Sequence, residues 1–327
     1  MPLEKTNSEN NHKESTIILS IRYAGSAVEG SINATELGNS LAGFGTLLEQ
    51  ASSVLYSSSA SVSARVQTNF EHGSFIAYLE LAYHFWEPVR DFINSPDYQA
   101  IKSLAETIGL LGLRKGLPAS INSLISFIKY LQKRKITEEK SSFDMMEILI
   151  INQDGDPEKI SVSKDIWKLF KSLKARSALQ ETLSPLKHSG IDEITFHISG
   201  TPESQKTIVT KDEYASFEIP LNEKVLIDER VREKILEVIA INFEGTSWQF
   251  REENKKKKIK AAITDSVFIR SVNNDEISFK KGDTITCLLK IFTYETLKGN
   301  KIEYEITKVL KLGRNPFTRI SQPRFNF

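Results

Sequence analysis

The sequence predicts an α+β protein: an N-terminal β-α-β-β region with a helical hairpin, a small α/β middle segment, and a C-terminal five-stranded β-barrel. Three observations lead to this expectation. Apolar residues recur at steps of three and four from Leu37 to Leu55. They alternate from Val62 to Val66 and from Phe75 to Tyr83. Beyond residue 226, short alternating runs follow one another with no long helical stretch.

The 327 residues leave room for two or three domains, and 40% hydrophobic with 26% charged residues describes a globular chain, neither disordered nor fibrous. A single cysteine, Cys287, excludes an intramolecular disulfide framework and a multi-cysteine zinc site. Residues 1–15 read as a disordered polar tail without the apolar core of a secretory signal, so the expected compartment is the cytoplasm. No run of about 18 apolar residues occurs, so no conventional membrane span is expected.

The first expected domain covers 16–142. Ile17, Leu19, Ile21 and Tyr23 fall on one face of a strand, with Ser20 and Arg22 on the other. Asn33 stands three residues before Glu36, the spacing of a helix cap, and this is preferred over reading Asn33-Ala34-Thr35 as a glycosylation acceptor. Leu37, Leu41, Phe44, Leu48, Ala51 and Leu55 then form the apolar stripe of a helix that should lie on the sheet. The two alternating runs that follow make a hairpin closed at His72-Gly73. His72 beside Ser74 lacks the third orienting group that a catalytic reading needs.

Between residues 87 and 135 the pattern becomes helical, broken by Ile108-Gly109-Leu110-Leu111-Gly112-Leu113-Arg114-Lys115-Gly116-Leu117-Pro118. One reading is a buried helical hairpin whose glycines allow close packing. The other makes Leu110, Leu111, Gly112, Leu113, Gly116 and Leu117 a contact surface for a membrane or another subunit, given the small-xxx-small spacing of Gly112 and Gly116. Lys129, Lys133, Arg134, Lys135, Glu138, Glu139 and Lys140 read as a charged helix end and linker, with a domain boundary near residue 142.

The middle segment, 143–225, begins with a strand carrying Met146, Ile148 and Ile150 and a turn at Asp154-Gly155-Asp156-Pro157. The two aspartates lack the rest of a calcium loop. Ser163 should cap a helix, Gly190 should end another, and Ile194, Phe196 and Ile198 should face one side of a strand. His197 falls on the other face, with no partner at metal-binding spacing.

In the expected barrel, 226–312, strands are read at 235–243, 247–251, 258–263, 283–292 and 301–309, with a short helix at 266–272. Ile285, Cys287, Leu289 and Ile291 point inward, which makes the lone cysteine a core residue. Charge divides unevenly along the chain. The whole has 43 Lys+Arg and 42 Asp+Glu, net +1, yet residues 251–327 hold 17 Lys+Arg against nine Asp+Glu, net +8, leaving −7 for the remainder. Lys255, Lys256, Lys257, Lys258 and Lys260 form a basic loop and strand start. A basic and aromatic tail, 313–327, interleaves Arg314, Arg319 and Arg324 with Phe325 and Phe327. Cations beside rings suit single-stranded nucleic acid; the bland alternative is a solvated lysine loop and a tail packed on its own protein.

No phosphate-loop, HExxH, GxSxG or GxGxxG pattern occurs, so no catalytic residue, cofactor or metal is assigned. Gly30-Ser31-Ile32-Asn33-Ala34-Thr35-Glu36-Leu37-Gly38, Gly73-Ser74-Phe75, the Gly109–Gly116 break, Phe279-Lys280-Lys281-Gly282-Asp283 and Tyr304-Glu305-Ile306-Thr307-Lys308-Val309-Leu310 together resemble an uncharacterised bacterial family. In that family an N-terminal α/β region joins a C-terminal five-stranded β-barrel. The resemblance covers most of residues 16–312, implies this architecture and supplies no reaction; the lysine run departs from it.

The expected function is therefore a non-enzymatic bacterial interaction protein whose basic barrel binds nucleic acid or an acidic protein partner while the α/β region mediates assembly as a homo-oligomer. The alternatives are a membrane-associating effector using 104–131, ranked below it, and a hydrolase built from dispersed carboxylates.

Overall fold

A computed structural model describes residues 16–28, 32–56, 60–67, 75–85, 97–111, 121–132, 134–152, 154–188, 190–242, 245, 247–252, 256–280 and 282–314. The chain forms two compact units, Met1–Leu221 and Asn222–Phe327.

The strands of the first unit are β1 (Thr16–Ala24), β2 (Ala60–Gln67), β3 (Phe75–Phe85), β4 (Lys135–Ser141), β5 (Met145–Ile151), β6 (Pro157–Ser163), β7 (Glu193–Ile198) and β8 (Thr207–Thr210). Its helices are α1 (Ala34–Tyr56), α2 (Asp97–Ile108), α3 (Leu124–Leu131), α4 (Lys164–Lys171), α5 (Leu173–Thr182) and α6 (Lys211–Tyr214). One antiparallel sheet runs β2-β3-β1-β7-β8 and a second runs β4-β5-β6. The alternation of β1 buries Ile17, Leu19, Ile21 and Tyr23 in one core with Phe44, Leu47, Leu48 and Ala51 of α1. Each leucine, isoleucine or phenylalanine among them contributes about 1.5–3 kcal/mol when fully buried.

Asn33 starts α1 as its spacing predicts: its Oδ1 accepts the Thr35 and Glu36 N–H groups at 2.9 and 3.3 Å. Further along, a Cβ added to Gly43 would lie 2.7 Å from the Thr182 backbone nitrogen, so glycine lets α1 approach the end of α5. Beside that contact Ser40 Oγ donates to the Thr182 carbonyl at 2.5 Å and lies 2.9 Å from Tyr23 Oη. Sheet, α1 and α5 thus share one buried hydrogen-bond chain. Burial pushes the Tyr23 hydroxyl up to about 12.

The two helical arms are α2 and α3, and Ile101, Leu104, Ile108, Leu110, Leu124, Ile125 and Ile128 all enter the main core. Gly109 has φ +100°, and a Cβ there would meet Ser123 Oγ at 2.6 Å. Of the residues expected to form a contact surface, Leu110 is fully buried and Leu111 packs partly buried against the core. Gly112, Leu113, Gly116 and Leu117 lie outside the described residues. Among the described residues no helix is long and apolar enough to cross a membrane.

Residues on both sides of 142 belong to the compact unit Met1–Leu221, in which β1 pairs through residues 19–24 with β7. The charged linker is in fact β4, a sheet edge whose Lys135, Thr137, Glu138, Glu139 and Lys140 are all exposed. A strand with solvent on one edge and one face needs few apolar residues, and charge protects it from unwanted pairing.

The second unit contains β9 (Lys224–Ala240), β10 (Ser247–Glu252), β11 (Lys258–Ile263), α7 (Ser266–Asn273), β12 (Thr284–Thr296) and β13 (Gly299–Gly313). The strands close into a barrel in the order β10-β11-β13-β12-β9, and β11 runs parallel to β13 while every other neighbour is antiparallel. This order, with a helix joining the third and fourth strands, is that of the OB type of five-stranded barrel. β9, β12 and β13 exceed their expected lengths. β10 meets β9 only over residues 236–240, so the earlier part of β9 pairs with β12 alone. Leu236, Phe250, Ile285, Cys287, Leu289 and Ile306 fill the interior. Asp265 fixes α7: Oδ1 accepts from Val267 and Phe268, and Oδ2 accepts the Val309 N–H of β13 at 2.9 Å.

Candidate polyanion-binding face

β10 and β11 form the second and third strands of the barrel, and their alternation sorts side chains cleanly. Inward go Trp248, Phe250, Ile259, Ala261 and Ile263. Trp248 packs against Phe250, Phe268 and Phe279 and donates from Nε1 to the Asn242 carbonyl at 3.2 Å. Outward go Gln249 and Arg251 of β10 and Lys258 and Lys260 of β11, with exposed Lys256 and Lys257 just before them. Strand alternation therefore places the outer cations two residues apart on the face opposite these rings.

Register then brings unlike sequence positions together. Arg251 lies directly opposite Lys258, and Gln249 opposite Lys260. Directly opposed like charges destabilise a sheet. Arg251 leans toward the neighbouring strand, its Nη1 3.5 Å from Glu237 Oε2, whereas Lys256, Lys257, Lys258 and Lys260 have no ion-pair partner among the described residues. Several other lysines of the same barrel are neutralised locally, although Lys298, Lys308 and Lys311 also have no ion-pair partner among the described residues. Lys224 and Lys301 both meet Glu303, at 2.8 and 3.0 Å, and Lys290 meets Glu229 at 2.8 Å. The Glu303 partner raises the Lys224 ammonium above its ordinary range, and Lys224 and Lys301 hold the Glu303 carboxyl below its own.

Of the other expected site residues, Arg314 is exposed just past β13. Lys255, Arg319, Arg324, Phe325 and Phe327 lie outside the described residues. Arg251 and Gln249 do not stand out in the sequence; only the β10–β11 register shows that they share a face with the lysines.

Groups considered for other chemistry have structural places. Cys287 is fully buried and burial raises its thiol to about 12, far from a reactive thiolate. His197 Nε2 lies 3.1 Å from the Thr201 carbonyl, and Asn152 Oδ1 accepts the backbone N–H groups of Asp154 and Asp156.

No protein-family model and no curated protein matches the chain. Solved structures that show a likeness include the following two. One is described as "Crystal structure of the tetrameric p202 HIN2", with 8% identity and TM-score 0.17, over 54% of this chain and 90% of that one. The other is described as "Structural mimicry for functional antagonism", with 13% identity and TM-score 0.17, over 53% and 88%. Likeness at these scores establishes neither fold nor function for this chain.

Proposed function

We propose that the protein is a non-enzymatic interaction protein that binds nucleic acid on the outer face of β10 and β11. The observation that carries this reading is the Arg251–Lys258 opposition, continued by Lys256, Lys257 and Lys260 without a carboxylate partner among the described residues. Such a face costs folding energy and is offset when phosphates neutralise it. The outer face of the second and third strands is also where OB-type barrels take oligonucleotides, which supports the reading by fold-level analogy.

An acidic protein partner fits less well. Protein interfaces centre on buried apolar or aromatic anchors and are depleted in lysine. None of the large hydrophobic side chains exposed among the described residues belongs to β10 or β11.

The test is fluorescence anisotropy of a labelled single strand with the full chain across a salt series. Binding should weaken steeply with salt, and changing Lys256, Lys257, Lys258 and Lys260 to Ser should flatten the log–log slope by about 0.7 for each phosphate that is no longer neutralised. Lys290→Ser and Lys301→Ser, which remove cations already paired, should leave binding unchanged. Absence of binding at low salt overturns the proposal.

A further inference from the structure

We infer that this face reads the phosphodiester backbone alone and leaves the bases unread; the inference rests on the nucleic-acid reading above. Both rings of β10 are committed to the interior, with Trp248 2% exposed and Phe250 fully buried. The sequence connecting the strands, Glu253-Asn254-Lys255-Lys256-Lys257, contains no aromatic residue. What remains outward on the two strands is Ser247, Gln249, Arg251, Lys258, Lys260 and Ala262, so a strand lying along β11 meets ammonium groups and no stacking surface on it or on β10.

The choice of cation agrees. Lysine is a compact point charge with three freely directed donors, suited to phosphate oxygens approached from any angle. The planar fork that grips a carboxylate in two-point fashion belongs to arginine. The one arginine on this face, Arg251, has its Nη1 directed at Glu237. Lys258 and Lys260 lie two residues apart on one face, about 6.6 Å along the strand, which allows each to meet a different phosphate of an extended chain. A base-stacking platform would need rings among these positions.

Competition binding with the full chain tests this using four probes: oligo-dT, oligo-dA, an abasic oligonucleotide of the same length, and poly-glutamate of matched charge. Oligo-dT, oligo-dA and the abasic strand should bind within about threefold of one another, and Lys258→Ser with Lys260→Ser should weaken all three equally. Base-bearing strands binding tighter than the abasic strand by about tenfold or more would overturn the inference while leaving the nucleic-acid reading intact. Poly-glutamate competing as well as the abasic strand would overturn the assignment to phosphodiester. Failure of every strand to bind at low salt would remove both readings.

Discussion

Arg251 and Lys258 occupy directly opposed positions across the β10–β11 ladder, and on either side of this pair Glu237 and Lys260 pull the local charge in opposite directions. An opposition of like charges costs about 0.2–1 kcal/mol. Lys258→Glu should therefore raise the stability of the second unit by up to about 1 kcal/mol while weakening nucleic-acid binding. Urea unfolding and anisotropy on the same variant check the two halves. A less stable variant would show that the pair imposes no cost.

The chain Tyr23–Ser40–Thr182 predicts a coupled effect. Ser40→Ala leaves the Tyr23 hydroxyl and the Thr182 carbonyl each without a hydroxyl partner in a buried site, at a cost of about 1–3 kcal/mol. Adding Tyr23→Phe should cost less than in the wild type, because the hydroxyl it removes is already stranded. Equilibrium unfolding of the four proteins measures the coupling, and strict additivity would contradict it.

Two glycines of α1 should respond with opposite sign. Gly43→Ala drives a methyl group into the backbone at Thr182 and should destabilise by about 1–3 kcal/mol. Gly45→Ala meets nothing within 4 Å and should stabilise by up to about 1 kcal/mol through helix propensity. Thermal melts of the two variants decide it; a shift in the same direction would place the α1–α5 approach elsewhere.

Asp265 makes the barrel sensitive to acid. Burial, the largest single influence, pushes its carboxyl up, but the Val309, Phe268 and Val267 amides and the Lys308 charge outweigh it and hold the carboxyl below its ordinary range. A depressed folded-state value means that the contribution is complete above about pH 4, the unfolded value, and is lost as pH falls through the folded one. Asp265→Ala should cost about 0.5–2 kcal/mol at neutral pH. In denaturant titrations the gap to wild type should narrow toward strongly acidic pH, and a constant gap would contradict the assignment.

Much of this architecture could be read from local pattern. The Ile285, Cys287 and Leu289 alternation marks an inward strand face, and the Ser163 cap is present, its Oγ accepting from Ile166 at 3.2 Å. Gly190 has the positive φ that its place after a helix suggests. What escaped local reading depends on distant partners. β4 has no apolar stripe because it is an edge, and the charged first half of β9 becomes a strand through pairing with β12, more than fifty residues away. β1 joins β7 from far along the chain, a pairing that nothing in the local pattern near 142 signals. The lysines were visible as a run. Their opposition to Arg251, and the absence of rings beside them, required the register.

Cys287 gives the molecule a built-in reporter. It is the sole thiol, enclosed by the barrel interior and held protonated at neutral pH. A thiol-reactive reagent can modify it only in molecules whose barrel has opened, so the labelling rate measures excursions of the second unit with no contribution from the first. Followed with and without an oligonucleotide, that rate would read ligand-linked closure of the barrel through a single atom that the ligand never touches.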